Sequence, residues 1–176
     1  TSEEANALYE EQQALDWDNK YYDTRRKKVL NKRRRHNLMY AGEGQEPDYE
    51  NKKGRIVAWE HVPVLKRAVD LLKELGGPKA KNLVCEGNKY KKFEKRTNVG
   101  IGWHGDSERK KVFAIKCGHS MDLRYRWYHR RAIISPEVNL KLNHGDAYIM
   151  SEWAVGKMWK SSSLVTIRHC AVPCGD

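Results

Sequence analysis

Hydrophobic and polar positions change their period near Lys81, and the elements expected on either side differ accordingly. Residues 3–16 are polar, acidic and rich in helix formers. Leu8 and Leu15 share one face seven positions apart, which predicts a short amphipathic helix. A second helix is expected over residues 63–75. Pro63 suits its first turn, Leu65, Ala68, Val69, Leu72 and Leu75 form an apolar face, and Gly76-Gly77 stops it. Between the two, residues 40–54 read as a loop punctuated by Gly and Pro. Beyond Lys81 the apolar positions fall into short runs separated by turn residues, at 82–86, 99–105, 111–117, 122–128, 131–134, 138–142, 146–150 and 164–171. Many short strands at such spacing predict a double-sheet barrel of the jelly-roll kind. Helices first and strands afterwards make the chain α+β. A single domain over residues 1–176 is expected, with a basic helical extension at 1–40 and a jelly-roll core at 81–171.

Charge adds a partner to this picture. Among 176 residues, 34 Lys+Arg stand against 23 Asp+Glu, a formal charge of +11. Such an excess favours a polyanion, and nucleic acid comes first. The densest run, from Arg25 to Arg35, reads either as a solvated arm or helix face or as a phosphate-contacting surface made by Arg25, Arg26, Lys27, Lys28, Arg33, Arg34 and Arg35. Aromatic residues interleave with Arg between Arg124 and Arg131, which suits either nucleic-acid stacking or ordinary strand alternation. No apolar run approaches the roughly 18 residues needed to span a bilayer, so no membrane partner is expected. No N-terminal apolar segment reads as a secretion signal. Cys85, Cys117, Cys170 and Cys174 contain no Cys-x-x-Cys pair and read as free thiols. The expectation is an intracellular, reducing compartment and a monomer.

Candidate chemistry concentrates in Gly102-Trp-His104-Gly-Asp106-Ser-Glu108-Arg109. On an extended segment, His104 and Asp106 lie one pleat apart and point to the same side. They are two-thirds of a site of two imidazoles and one carboxylate, the donor set of non-haem Fe(II) with positions left open. By the same alternation Trp103 faces away from the metal and reads as core. His36 and His61 read as surface or capping residues.

Further motifs fall into order around this pair. Asn88-x-Tyr90 lies fourteen residues upstream of His104, counted from Tyr90; Gly145-Asp146 opens a strand downstream; Leu164-Val-Thr-Ile-Arg168-His169 closes the series. Together they resemble the AlkB family of Fe(II)- and 2-oxoglutarate-dependent dioxygenases, over roughly residues 81–171. The resemblance implies that His104 and Asp106 ligate Fe(II), that Asn88 and Tyr90 hydrogen-bond 2-oxoglutarate, and that Arg168 pairs with one of its carboxylates. Glu108 stands where related enzymes keep an acidic residue near the substrate base, and Arg109 beside it is expected to meet substrate. The family's distal His is absent from Ser151–Ser163, so the third ligand is His169, or His144 from its turn, or no protein residue. His169 is the first choice. Neighbours on a flat strand face opposite ways, so Arg168 and His169 do not easily share a pocket. Arg124, Arg126 and Lys116 are then reserve partners for the co-substrate. The activity implied is oxidative demethylation of a nucleobase in DNA or RNA. The alternatives are a 5-methylpyrimidine hydroxylase of the ten-eleven-translocation or J-base type, or a non-catalytic nucleic-acid-binding barrel.

Overall fold

The computed structural model describes residues 1–90 and 99–174. Asn98, the residue ahead of the Val99 segment, lies outside them. The chain divides into two compact units, one of Asn6–Val99 and one of Thr1–Ala5 with Gly100–Asp176. The first is mixed α+β; the second is built almost wholly of strands.

The first unit takes most of helix α1 (Ser2–Gln13), then strands β1 (Lys20–Asp23), β2 (Lys28–Asn31), β3 (His36–Ala41) and β4 (Ile56–Ala58), helix α2 (Pro63–Gly76) and strand β5 (Cys85–Lys89). Both expected helices are present. The Glu11 carboxylate accepts hydrogen bonds from the backbone N–H groups of Val64 (2.7 Å) and Leu65 (3.0 Å), which satisfies two donors that the first turn of α2 leaves open. Gly77 at φ 54° ends that helix. Leu75, expected on its buried face, is instead 75% exposed. The basic run is not a helix: β1 and β2 form an antiparallel hairpin. Its turn is held by Asp23 Oδ1, which accepts from the N–H groups of Arg25 and Arg26, both at 2.9 Å. β3 pairs in parallel with β4 and antiparallel with β5. Leu38, Tyr40, Val57 and Val62 form the core, flanked by Leu15, Trp17, Trp59, Leu65 and Cys85. β5 therefore belongs to this unit's sheet, although its sequence sits at the start of the strand-rich half.

The second unit holds β6 (Ile101–His104), β7 (Val112–Ile115), β8 (Met121–His129), β9 (Ala132–Ile133), β10 (Val138–Leu142), β11 (Ala147–Met150) and β12 (Thr166–Pro173). One sheet runs β10-β8-β12-β6, with β9 also on β8; the other is β11-β7. The antiparallel ladders nest: β6 pairs with β12, β7 with β11, and β8 with β10. Leu123 and Tyr125 of the larger sheet cluster with Met150 of the smaller one and with the fully buried Val155. Val112, Leu142, Tyr148, Ala154 and Ile167 pack around it. Apolar alternation along β8 and β12 drives this burial, since every second residue points into the core. β8 is an interior strand, flanked by β10 and β12, so residues Arg124–His129 alternate within the sheet, while Arg130 and Arg131 form the turn into β9. Gly100, at φ 113°, lets β6 close on β12: a Cβ there would stand 2.1 Å from the Ala171 carbonyl oxygen.

Candidate metal centre

His104 ends β6, and antiparallel register sets it directly opposite His169 on β12. Directly opposed residues share a face, so both imidazoles project to the same side. Their ring centroids are 4.5 Å apart at 60°. Asp106 follows one residue beyond Gly105, and its backbone N–H donates to Val155 O at 2.7 Å, anchoring the turn after β6. His104 Nε2 lies 3.7 Å from Asp106 Oδ1, and His169 Nε2 lies 3.9 Å from Asp106 Oδ2. One ligand atom from each of the three residues falls within 4.8 Å of the others. The two imidazoles and the carboxylate expected from sequence, with His169 as the third member, are thus brought together. His144 is not among them: its Nδ1 accepts from Gly118 N–H at 2.9 Å in another turn.

Three features fit this trio to a divalent cation. His104 Nδ1 lies 2.7 Å from the Gly102 carbonyl oxygen, which can only accept, so Nδ1 carries a proton and Nε2, on the Asp106 side, is the nitrogen available to a metal ion. His169 is buried, and burial, followed by the neighbouring His104, pushes its pKa down to about 4; Asp106 and the Ala154 backbone oppose that shift. A neutral imidazole is the ligating form. Its Nδ1 is buried without a hydrogen bond of standard geometry, the Ala154 backbone contributing only a weaker polar contact. Tyr125 completes the floor, 5.8 Å from the His169 ring, with its hydroxyl pushed up to about 12 by burial and then by the Asp106 charge. It remains protonated at neutral pH, so its O–H can donate a hydrogen bond.

Gly105 makes the turn possible. A Cβ on it would lie 2.2 Å from the Gly156 carbonyl oxygen and 2.7 Å from the Trp159 ring. Trp159 in turn donates its indole N–H to Ser107 Oγ at 3.2 Å. Tyr125, Ser107 and Trp159 were not legible as site residues. The alternation of Tyr125 with Arg124 and Arg126 was the one signal that it faced inward with His169.

Arg168 is where sequence and structure part. It pairs with Arg126 across the ladder, one position from His169, and so occupies the opposite face of β12. There its guanidinium lies 4.1 Å from the centroid of Tyr128 and 5.4 Å from that of Trp159. The irregularity in the β12–β6 ladder falls between His169 and Ala171, too late to turn Arg168 around. The reserve cations are engaged elsewhere. Arg124 pairs with Asp122 at 2.8 Å, Arg126 pairs with Glu137 at 2.7 Å and covers Trp103 at 4.7 Å, and Lys116 Nζ donates to Cys117 O. Arg109 and Glu108 are exposed on the loop after Asp106, and the charge of Arg109 acts on His169.

Asn88 and Tyr90 lie in the other unit. Asn88 stands opposite Asn37 in the β3–β5 ladder, with Oδ1 buried and lacking a hydrogen bond. Tyr90 follows β5; burial raises its pKa, and the Arg35 side chain hydrogen-bonds it. Of the basic run, Arg26, Arg33, Arg34 and Arg35 line a groove of about 830 Å³ together with Lys32 and Tyr21. Arg25, Lys27 and Lys28 lie outside that lining, on and beside the hairpin turn. The four cysteines are free thiols. Among the described residues, no helix is long and apolar enough to cross a membrane.

The fold and the trio define an α+β protein with a two-histidine, one-carboxylate cluster on a sheet face. The chain is similar to an uncharacterized protein of Acanthamoeba polyphaga mimivirus, 39% identical over 155 residues. That match covers 88% of this chain and 58% of the viral protein, so the chain spans little more than half of that relative's length. No protein-family model matches the chain.

Proposed function

We propose that the protein is an Fe(II)- and 2-oxoglutarate-dependent dioxygenase of AlkB-like type, acting on a methylated nucleobase. The observation that carries this reading is the register pairing of His104 with His169 beside Asp106. Nested ladders are the pairing of one long hairpin rolled into two facing sheets, and on that ground the second unit is read as a jelly roll. His104 Nε2, His169 Nε2 and an Asp106 oxygen would hold Fe(II), which supplies oxygen activation coupled to conversion of 2-oxoglutarate to succinate and carbon dioxide. The chain's own residues supply position and dryness. The Gly102 carbonyl orients His104, the Val155 carbonyl orients the Asp106 backbone, and Tyr125 presents a proton beside the cluster. Arg109 takes over the pairing with a co-substrate carboxylate that Arg168 was expected to make. The groove lined by Arg26 and Arg33–Arg35 would carry a nucleic-acid backbone, with an affinity that falls as salt rises.

Anaerobic addition of Fe(II) and 2-oxoglutarate is expected to give a visible charge-transfer band, and aeration with a methylated oligonucleotide is expected to give succinate. His104→Ala removes both and leaves the salt-dependent oligonucleotide affinity in place. A wild-type protein with neither band nor succinate overturns the enzyme reading and leaves a nucleic-acid-binding barrel.

A further inference from the structure

On the face of β12 away from the His104–Asp106–His169 cluster, Arg130, Arg131, Lys160 and Arg168 converge with Trp159 and Ser162 around a cavity of about 260 Å³. We propose that this cavity is a binding site for a phosphate group, separate from the candidate metal centre. Four positive side chains converge here, and among the described residues none of the four has a carboxylate partner. Two further observations point to a ligand.

The first is Arg168. Its guanidinium lies over the rings of Tyr128 and Trp159, and its Nε is buried with no hydrogen-bond partner. A buried charged donor without an acceptor is costly, and native structures leave few of them. Contact with two aromatic rings holds the guanidinium at the cavity wall, and a planar guanidinium suits a tetrahedral oxyanion.

The second is the backbone at the rim. His129 pairs with Ala132, so β8 and β9 are joined by a two-residue turn of Arg130 and Arg131. Both have positive φ, 49° and 69°. That turn favours Asn-Gly, because left-handed backbone strains residues with larger side chains. Two successive arginines in it are locally unfavourable, and they are the two that reach the cavity. Arg130 N–H donates to Ser162 O at 3.1 Å, tying the turn to the segment that carries Lys160. The cavity is smaller than the about 300–1,000 Å³ that enclose a whole small-molecule ligand, which suits one anionic group with the rest of its molecule outside.

The site's two sources of phosphate are a nucleic-acid backbone and a free phosphate ion. Trp159 links this site to the metal centre, since its indole packs on Arg168 from one side and hydrogen-bonds Ser107 next to Asp106.

The test uses metal-free protein, so its outcome does not depend on oxygenase activity. Calorimetric titration with inorganic phosphate in chloride buffer is expected to show saturable binding at one site. Replacing Arg130-Arg131 by Asn-Gly weakens that binding at least about tenfold while raising Tm by roughly 2–4 °C, because the turn is relieved. Lys79→Gln, an exposed lysine outside both basic clusters, leaves the phosphate isotherm unchanged. A single-stranded oligonucleotide that competes at lower concentration than phosphate, and loses that advantage when its backbone is methylphosphonate, assigns the source to a strand. Competition no better than phosphate itself assigns it to the free ion. Absence of saturable phosphate binding, or an Asn-Gly variant that binds as the wild type does, overturns the proposal.

Discussion

Two buried polar residues, one in each unit, are treated in opposite ways by their surroundings. Asp18, in the helix- and hairpin-bearing unit, is 4% exposed, and both of its oxygens are satisfied. Tyr49 donates its hydroxyl to Oδ1 and the Arg55 backbone N–H donates to Oδ2, each at 2.7 Å. His169, in the strand-built unit, is 5% exposed, and its Nδ1 has no hydrogen bond of standard geometry. Its Nε2 faces a carboxylate at a distance too long for a hydrogen bond. A satisfied buried group holds a fold together; an unsatisfied one is retained at a cost that stability does not explain. The difference separates a structural carboxylate from a candidate ligating residue, although both residues are polar and equally hidden.

The comparison breaks most visibly at the cluster. His169→Leu is expected to lower affinity for Fe(II) or Mn(II) by at least about 100-fold, while Tm stays level or rises, since an unsatisfied imidazole is replaced by an apolar group of similar size. Metal titration beside a melting curve checks both halves, and a large fall in Tm with metal affinity intact would make His169 a structural residue like Asp18.

Asp18→Ala should show the reverse. It strands the Tyr49 hydroxyl and the Arg55 N–H, at a cost of about 3 kcal/mol. Tm then drops by roughly 6–12 °C, and metal affinity is unchanged.

Gly105→Ala falls between the two. The new Cβ collides with the Gly156 backbone, which no side-chain rotation relieves, so the Asp106 turn shifts away from the histidines. Metal affinity is expected to fall about tenfold, with a smaller loss of stability than in Asp18→Ala.

The smallest effect concerns acid. Asp122 is held below the usual carboxylate range by the Arg124 hydrogen bond first and by the Cys174 thiol second, against the opposing effect of burial. Its folded pKa lies below its unfolded one, so its contribution to stability is present above the unfolded pKa of about 4 and is lost as pH falls through the folded value. Asp122→Asn should flatten the acid end of a Tm-against-pH curve below about pH 4 and leave its neutral region with only a small offset. An acid limb as steep as the wild type's assigns that sensitivity to other carboxylates.

How much of this was legible beforehand follows the range of the interactions involved. Helix α2 declared itself through local periodicity and a Gly-Gly stop, and the strands of the second unit through short apolar runs bounded by turns. Strands β1 and β2 did not, because Lys20–Asp23 and Lys28–Asn31 have charged or polar ends and too few apolar residues to alternate. The same density of Arg and Lys suggested an arm, whereas cross-strand pairing made a hairpin.

Local spacing alone determined that His104 and Asp106 would project together, because a pleat has a period of two. The third member was decided by tertiary pairing. His169 lies far along the chain, and only the β6–β12 register sets it opposite His104. That register also sent Arg168 to the other face, onto Tyr128 and Trp159, and made a pocket there with the β8–β9 turn. A one-residue slip would have exchanged the two faces. Sequence supplies the alternation; which of two neighbouring residues joins His104 and Asp106 depends on a ladder between distant strands, and the buried Leu123 and Tyr125, with the partly buried Ile167 packed against them, lock it.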